Sequence, residues 1–135
     1  MESNNFAPTV SKKHLWIGRA LSAGPVLLLF VSAAMKVVQP AGFDEGFAHL
    51  GWPISKAVGL GILEATCTVI YLIPRTSVLG AILLTGYLGG ATATHVRVDD
   101  PYFATPLLGA LLWGGLYLRD SRLQALLPFV SNPRP

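Results

Sequence analysis

Glu64 is the residue in this chain best placed to do chemistry. It stands inside the apolar run GLGILEATCTVIYLI (59–73), with Lys56 the nearest charge before it and Arg75 the nearest after it. A carboxyl in such surroundings faces a wet cavity, pairs with a cation, or keeps its proton. Each state suits a group that handles protons or orients a polar ligand. An architectural alternative is a neutral Glu64 bonded between helices, with Thr66, Thr68 or Thr85 as partners. Three basic side chains accompany it. Lys36 lies near the end of the first apolar run, where its long stem can snorkel outward or turn inward toward Glu64. Glu64 lies ~12 Å deeper than Lys56 at helical rise, so water or a direct contact could bridge Lys36 to Glu64. His95 and Arg97 close a later run, next to Thr92 and Thr94. His95 brings an imidazole able to carry or pass a proton, and Arg97 has Asp99 and Asp100 within reach as exposed partners. The ligand-binding or proton-handling candidates are therefore Glu64, Lys36, His95 and Arg97, grouped in a polar pocket beneath the segment Phe43 to Leu50. No catalytic residue is assigned, because no Ser/His/Asp nucleophile arrangement is present. No metal site is expected, since His14, His49 and His95 share no ligand spacing. Cys67 stands alone, which excludes an intrachain disulfide and a CxxC pair.

The elements that must position these residues follow from composition. Of the 135 residues 52% are apolar and 13% charged, and the mean hydropathy is +0.53. That leaves too little polar surface to cover a soluble core of this size. Four apolar runs, about residues 16–38, 54–73, 78–96 and 102–118, are each near the length needed to cross a ~30 Å hydrocarbon core. The first exceeds a signal-peptide core and lacks a cleavage site. Pro25 is expected to kink it. The expected fold is all-α: an antiparallel four-helix transmembrane bundle. Between spans 1 and 2, Phe43, Phe47 and Leu50 recur at helical spacing, which favours a short interfacial helix over an irregular loop. Pro74 ends the second span, and Thr76 or Ser77 can cap the third. Residues 1–14 and 121–135 are expected as tails.

Charge placement sets orientation. Lys12, Lys13, Arg19, Arg75, Arg119, Arg122 and Arg134 fall on the side of both termini, and Lys36, Lys56 and Arg97 on the other. This asymmetry is expected to put both termini in the cytoplasm. Tyr71 and Tyr117 then belong to the inner aromatic belt, Trp52 and Tyr102 to the outer one. The net charge of +3 is scattered singly at span ends, which argues against nucleic acid as a partner. Small residues in the third span (the row Ala81, Thr85, Gly89, Ala93 and the pair Gly86, Gly90) and Gly109, Gly114 and Gly115 in the fourth predict helix contact faces.

The segment ILEATCTVIYLIPRTSVLGAILLTGYLGGATATHVR, with Lys36 and Pro40 ahead of it, resembles the DoxX-like family of small bacterial membrane proteins. The likeness extends over about residues 15–120. It implies a four-helix membrane bundle, with motif positions at Lys36, Glu64, Pro74, Arg75, Thr76, Gly80, Gly89, Gly90, His95 and Arg97. Relatives in the wider DoxX and DoxD group are linked to quinone-coupled oxidation of sulfur compounds and to membrane redox complexes. The resemblance thus points to a small-ligand binder or accessory subunit of a quinone-linked redox or stress-response system rather than a stand-alone enzyme. The chain has no cofactor motif of its own, so a bound quinone is the candidate cofactor. The expected partners are the lipid bilayer and membrane redox proteins or further copies of the chain. The alternative is a small proton-coupled transporter acting as a dimer, suggested by one acid at membrane depth.

Overall fold

The computed structural model describes residues 9–127, and every regular element among them is helical. Helix α1 (Lys12–Val38) begins where the Ser11 hydroxyl accepts the His14 N–H at 3.3 Å. It continues through Pro25, which lies buried. It ends at Gln39, whose left-handed backbone (φ 50°) returns its N–H to Met35 O, and Pro40 prevents continuation. Helix α2 (Phe43–His49) is the short element expected from the Phe43, Phe47 spacing. A 3-10 turn at Ile54–Lys56 leads from Pro53 into α3 (Ala57–Leu72). Ile73 is extended, as a residue before proline prefers, and the chain reverses into α4 (Ser77–Arg97). Neither Thr76 nor Ser77 caps α4 with its side chain, contrary to expectation. Both hydroxyls bond backward instead, Thr76 to Ile70 O at 2.9 Å and Ser77 to Pro74 O at 3.1 Å. They hold the turn onto the end of α3.

Helix α5 (Ala104–Arg119) and a short α6 (Ser121–Leu126) complete the fold. The Asp120 carboxylate caps α6 by accepting Arg122 N–H at 2.9 Å, and Leu123 is buried in the core. The segment expected as the C-terminal tail thus begins with a short helix anchored by Leu123. Of the expected N-terminal tail, Lys12, Lys13 and His14 form the start of α1, and residues 1–8 and 128–135 lie outside the described residues.

The long helices pack in a ring, with α1 against α3 and α5, and α4 against the same two. The polarity is inverted relative to a water-soluble domain. Glu64, Thr68, Ser22 and Ser77 are buried, while Leu27, Ile62, Ile82 and Leu107 are each more than half exposed. Lipid is the solvent that suits such a surface. Among the described residues, three helical stretches are long and apolar enough to cross a membrane: Lys12–Val38, Ile54–Leu72 and Ser77–Arg97. The fourth expected span is the 16-residue α5.

Of the glycines expected at contact faces, Gly115 makes a close contact and those of α4 do not. A Cβ at Gly86, Gly89, Gly90 or Gly114 would meet nothing within 4 Å. A Cβ at Gly18 would lie 2.6 Å from Gly115 O, so α1 and α5 touch backbone to backbone. Tyr71 is also placed differently from expectation. It is fully buried and so belongs to no aromatic belt. Its hydroxyl donates to Leu112 O of α5 at 2.7 Å and accepts from Ser22 of α1 at 2.8 Å. One phenol therefore ties three helices together, which is worth far more in an apolar interior than at a wet interface.

Candidate functional site

Glu64 lies in the middle of α3 and is 2% exposed. Its carboxyl is held by α1. Lys36 Nζ donates to Glu64 Oε2 at 2.8 Å, and the Ser32 hydroxyl donates to the same oxygen at 3.2 Å. Lys36 also donates to the Ser32 hydroxyl at 2.5 Å. Lys36 and Ser32 are one helical turn apart, so they present one face to α3. Gly61 permits the approach: a Cβ there would lie 2.8 Å from Ala33 O and 2.9 Å from Lys36 Cβ. The lysine stem therefore lies against bare α3 backbone one turn from Glu64, and direct pairing replaces the water bridge.

The threonines expected as partners of Glu64 are engaged elsewhere. Thr66 and Thr68 donate to the carbonyls of Ile62 and Glu64 on their own helix. Thr85 donates to Ala81 O and accepts from Trp113 Nε1 of α5 at 2.7 Å.

The ion pair lines a cavity of about 390 Å³, within the size range of small-ligand sites. Ser32, Lys36 and Glu64 give it one polar wall; Tyr87, Thr94 and His95 of α4 give it the other. Leu28, Leu29, Leu60, Leu88 and Leu108 supply the apolar lining. Gly86 and Gly90, one turn apart on α4, also line it. With open space where their side chains would be, they make room rather than contact. Tyr87 interacts with the Glu64 carboxyl through its hydroxyl. His95 Nδ1 is shut off from solvent without a hydrogen-bond partner, 3.7 Å from Asp100 Oδ2.

Phe47, Leu50 and Trp52 close the cavity from above. This roof is clamped to the end of α4 and the loop after it. Arg97 donates to Leu50 O at 2.6 Å, and His49 Nε2 lies 3.0 Å from both carboxylate oxygens of Asp100. Arg97 does not line the cavity, and its place against Leu50 O replaces the expected pairing with Asp99 or Asp100. It holds the roof, and Gly51, with φ 76°, leaves space for its guanidinium. Lys36, Glu64 and His95 are thus brought together, and Arg97 acts one layer out. Ser32 and Tyr87 were not anticipated. The only sequence signals for them were a hydroxyl one turn before Lys36 and a phenol at mid-span between glycines.

The roof clamp predicts a pH response. The hydrogen bond from His49 holds the Asp100 carboxyl below its ordinary 3.8, helped by the fields of His49 and His95 and opposed by desolvation. A lowered folded-state pKa means the contact contributes fully above that ordinary value and is lost as pH falls through the lower folded one. Backbone amides of residues 43–52 should therefore exchange faster below about pH 4. Asp100→Asn should show the fast exchange already at neutral pH. Hydrogen–deuterium exchange of both proteins in nanodiscs checks this, and equal neutral-pH rates would count against the clamp.

The fold and this cavity define a helical membrane protein whose deeply buried acid, Glu64, is paired within the chain. It belongs to the DoxX-like family: the family model matches residues 20–115, which contain the Lys36–Glu64 pair, His95 and Arg97. No curated protein and no solved structure matches the chain.

Proposed function

We propose that this chain is an integral protein of the bacterial inner membrane that binds a small amphiphilic ligand in the Lys36–Glu64 cavity. The ligand class is a quinone, and the role is that of a ligand-binding or accessory subunit of a redox or stress-response system. In this reading α1, α3, α4 and α5 all cross the bilayer as an antiparallel four-helix bundle. The short α5 spans about 24 Å at helical rise, which local bilayer thinning accommodates. The seven-to-three bias of basic residues supports a cytoplasmic position for both termini, and with it the roofed cavity in the outer half.

The observation that carries the proposal is the combination of an apolar cavity of about 390 Å³ with a buried ion pair on one wall and the His95 imidazole on the other. A quinone headgroup offers carbonyl acceptors on an apolar ring, and Lys36, Tyr87 and His95 are the donors that would hold them. When bound, the quinone would supply two-electron, two-proton redox chemistry. The protein's own residues would bind and orient it, and the ion pair beside Tyr87 would hold the local proton inventory. Glu64 already paired with Lys36 favours this reading over a dimeric proton-coupled transporter, where the acid must be available to the exported cation.

Titrating a short-chain ubiquinone analogue into the purified protein tests it. Saturable binding is expected. Gly90→Leu should weaken it at least about tenfold, a factor equivalent to ~1.4 kcal/mol, because the new side chain enters the cavity without displacing any packed atom. Glu64→Gln should weaken it as well. No saturable binding, or the same affinity in Gly90→Leu, would overturn the assignment.

A further inference from the structure

The end of the fold opposite the roofed cavity carries a second site. Arg19 of α1, Arg119 at the close of α5 and Arg122 of α6 line one cleft of about 280 Å³. Asp120 is the only carboxylate in that lining, and it is committed to Arg122, which donates to it at 2.9 Å and 3.1 Å and also to Pro74 O at 3.0 Å. Three cations against one anion leave the cleft with an excess of two positive charges. Arg119 is the unusual member. Its guanidinium stacks over the Tyr71 ring at 4.9 Å, yet its Nε and one terminal nitrogen are buried with no hydrogen-bond partner. Buried N–H donors without an acceptor are costly, and a guanidinium edge matches a phosphate in two-pronged geometry.

A second cleft, of about 370 Å³, adjoins the first and shares Arg19 and Arg119 with it. The rest of its lining is mostly apolar, with Ala23, Val26, Leu27 and Phe30 running along α1 toward the middle of the fold and Leu72 of α3 beside them. A cationic mouth continuous with an apolar trough is shaped for an amphiphile with an anionic head. We infer that this is a binding site for an anionic phospholipid. Its phosphate is held by Arg19, Arg119 and Arg122, and one acyl chain lies along Ala23, Val26 and Phe30. Basic pockets between membrane helices recognise anionic headgroups in this way. The site shares no residue with the Lys36–Glu64 cavity and stands apart from the quinone reading.

The test uses the purified full chain in neutral detergent, with binding read by native mass spectrometry and by the shift in melting temperature. The probes are phosphatidylglycerol, phosphatidylcholine and inorganic phosphate. Phosphatidylglycerol should bind and raise the melting temperature, while the other two do neither at matched concentration. Arg19→Gln, at an exposed position, leaves the fold intact and should weaken phosphatidylglycerol binding about fivefold, as should Arg119→Gln. Ala23→Trp, which fills the exposed trough, should weaken the lipid further without creating any response to phosphate. Inorganic phosphate binding as well as the lipid would overturn the lipid assignment in favour of a free-anion site. Equal binding of phosphatidylcholine and phosphatidylglycerol, or an unchanged affinity in both Arg19→Gln and Ala23→Trp, would overturn it as well.

Discussion

Lys36→Met should destabilise the fold by roughly 3 kcal/mol, the usual cost of leaving one member of a buried ion pair uncompensated. The Glu64 side chain is 3% exposed and the Lys36 side chain 16%, so solvent cannot screen the orphaned carboxylate. Ser32 would remain as its one hydroxyl donor from α1. Glu64→Gln should cost less, because the amide oxygen still accepts from Lys36 and Ser32. The decisive variant is the double replacement Lys36→Met with Glu64→Leu. It removes both charges together and should recover most of the loss, since a well-packed apolar pair is often as stable as the ion pair it replaces. Reversible unfolding of all three variants in mixed micelles measures the differences. If the single lysine variant proved as stable as the parent chain, the pair would not be a desolvated one. A double variant that recovered stability yet lost the quinone analogue would separate the pair's role in binding from its role in the fold.

Gly115→Ala should be about as damaging, at roughly 3 kcal/mol, the upper part of the range for overpacking a close contact. The added Cβ would collide with the Ser22 hydroxyl and lie 2.7 Å from Gly18 O. A backbone carbonyl cannot step aside, so α1 and α5 must separate. That separation would also pull Ser22 from Tyr71, loosening the bond network that ties α1, α3 and α5. Gly114→Ala is the built-in control. It has nothing within 4 Å of its added carbon and should be neutral or stabilising by up to about 1 kcal/mol through helix propensity. Melting temperatures of the two alanine variants, taken side by side, test the contact. Equal values would mean that α1 and α5 do not cross at this glycine.

Much of the element order could be read without coordinates, because it rests on local physics. Apolar run length, Pro40, Pro53 and Pro74 as punctuation, and the Phe43, Phe47 spacing delimit α1 to α4 to within a few residues. Glu64 announces itself because a carboxyl amid apolar residues is expensive wherever the chain goes. The errors have one source. Small residues were read as contact residues, which holds for Gly115, yet Gly86 and Gly90 open a cavity while Gly18 and Gly61, not singled out, make contacts. Composition reports that a position is small and says nothing of what stands opposite it. Tyr71 and Arg97 went astray for the same reason: Tyr71 lies in the core and Arg97 holds Leu50 O, and both partners are remote in sequence.

Membrane character, helical elements, their approximate limits and the identity of the buried acid therefore follow from the order of residues alone, since each depends on a segment's own hydropathy and its own punctuation. The partner of that acid does not. Lys36 and Glu64 are 28 positions apart and meet because Gly61 lets α1 lie against bare α3 backbone. Pairing, cavity and roof are properties of helix packing, set by which faces close on one another, and only the folded arrangement decides them.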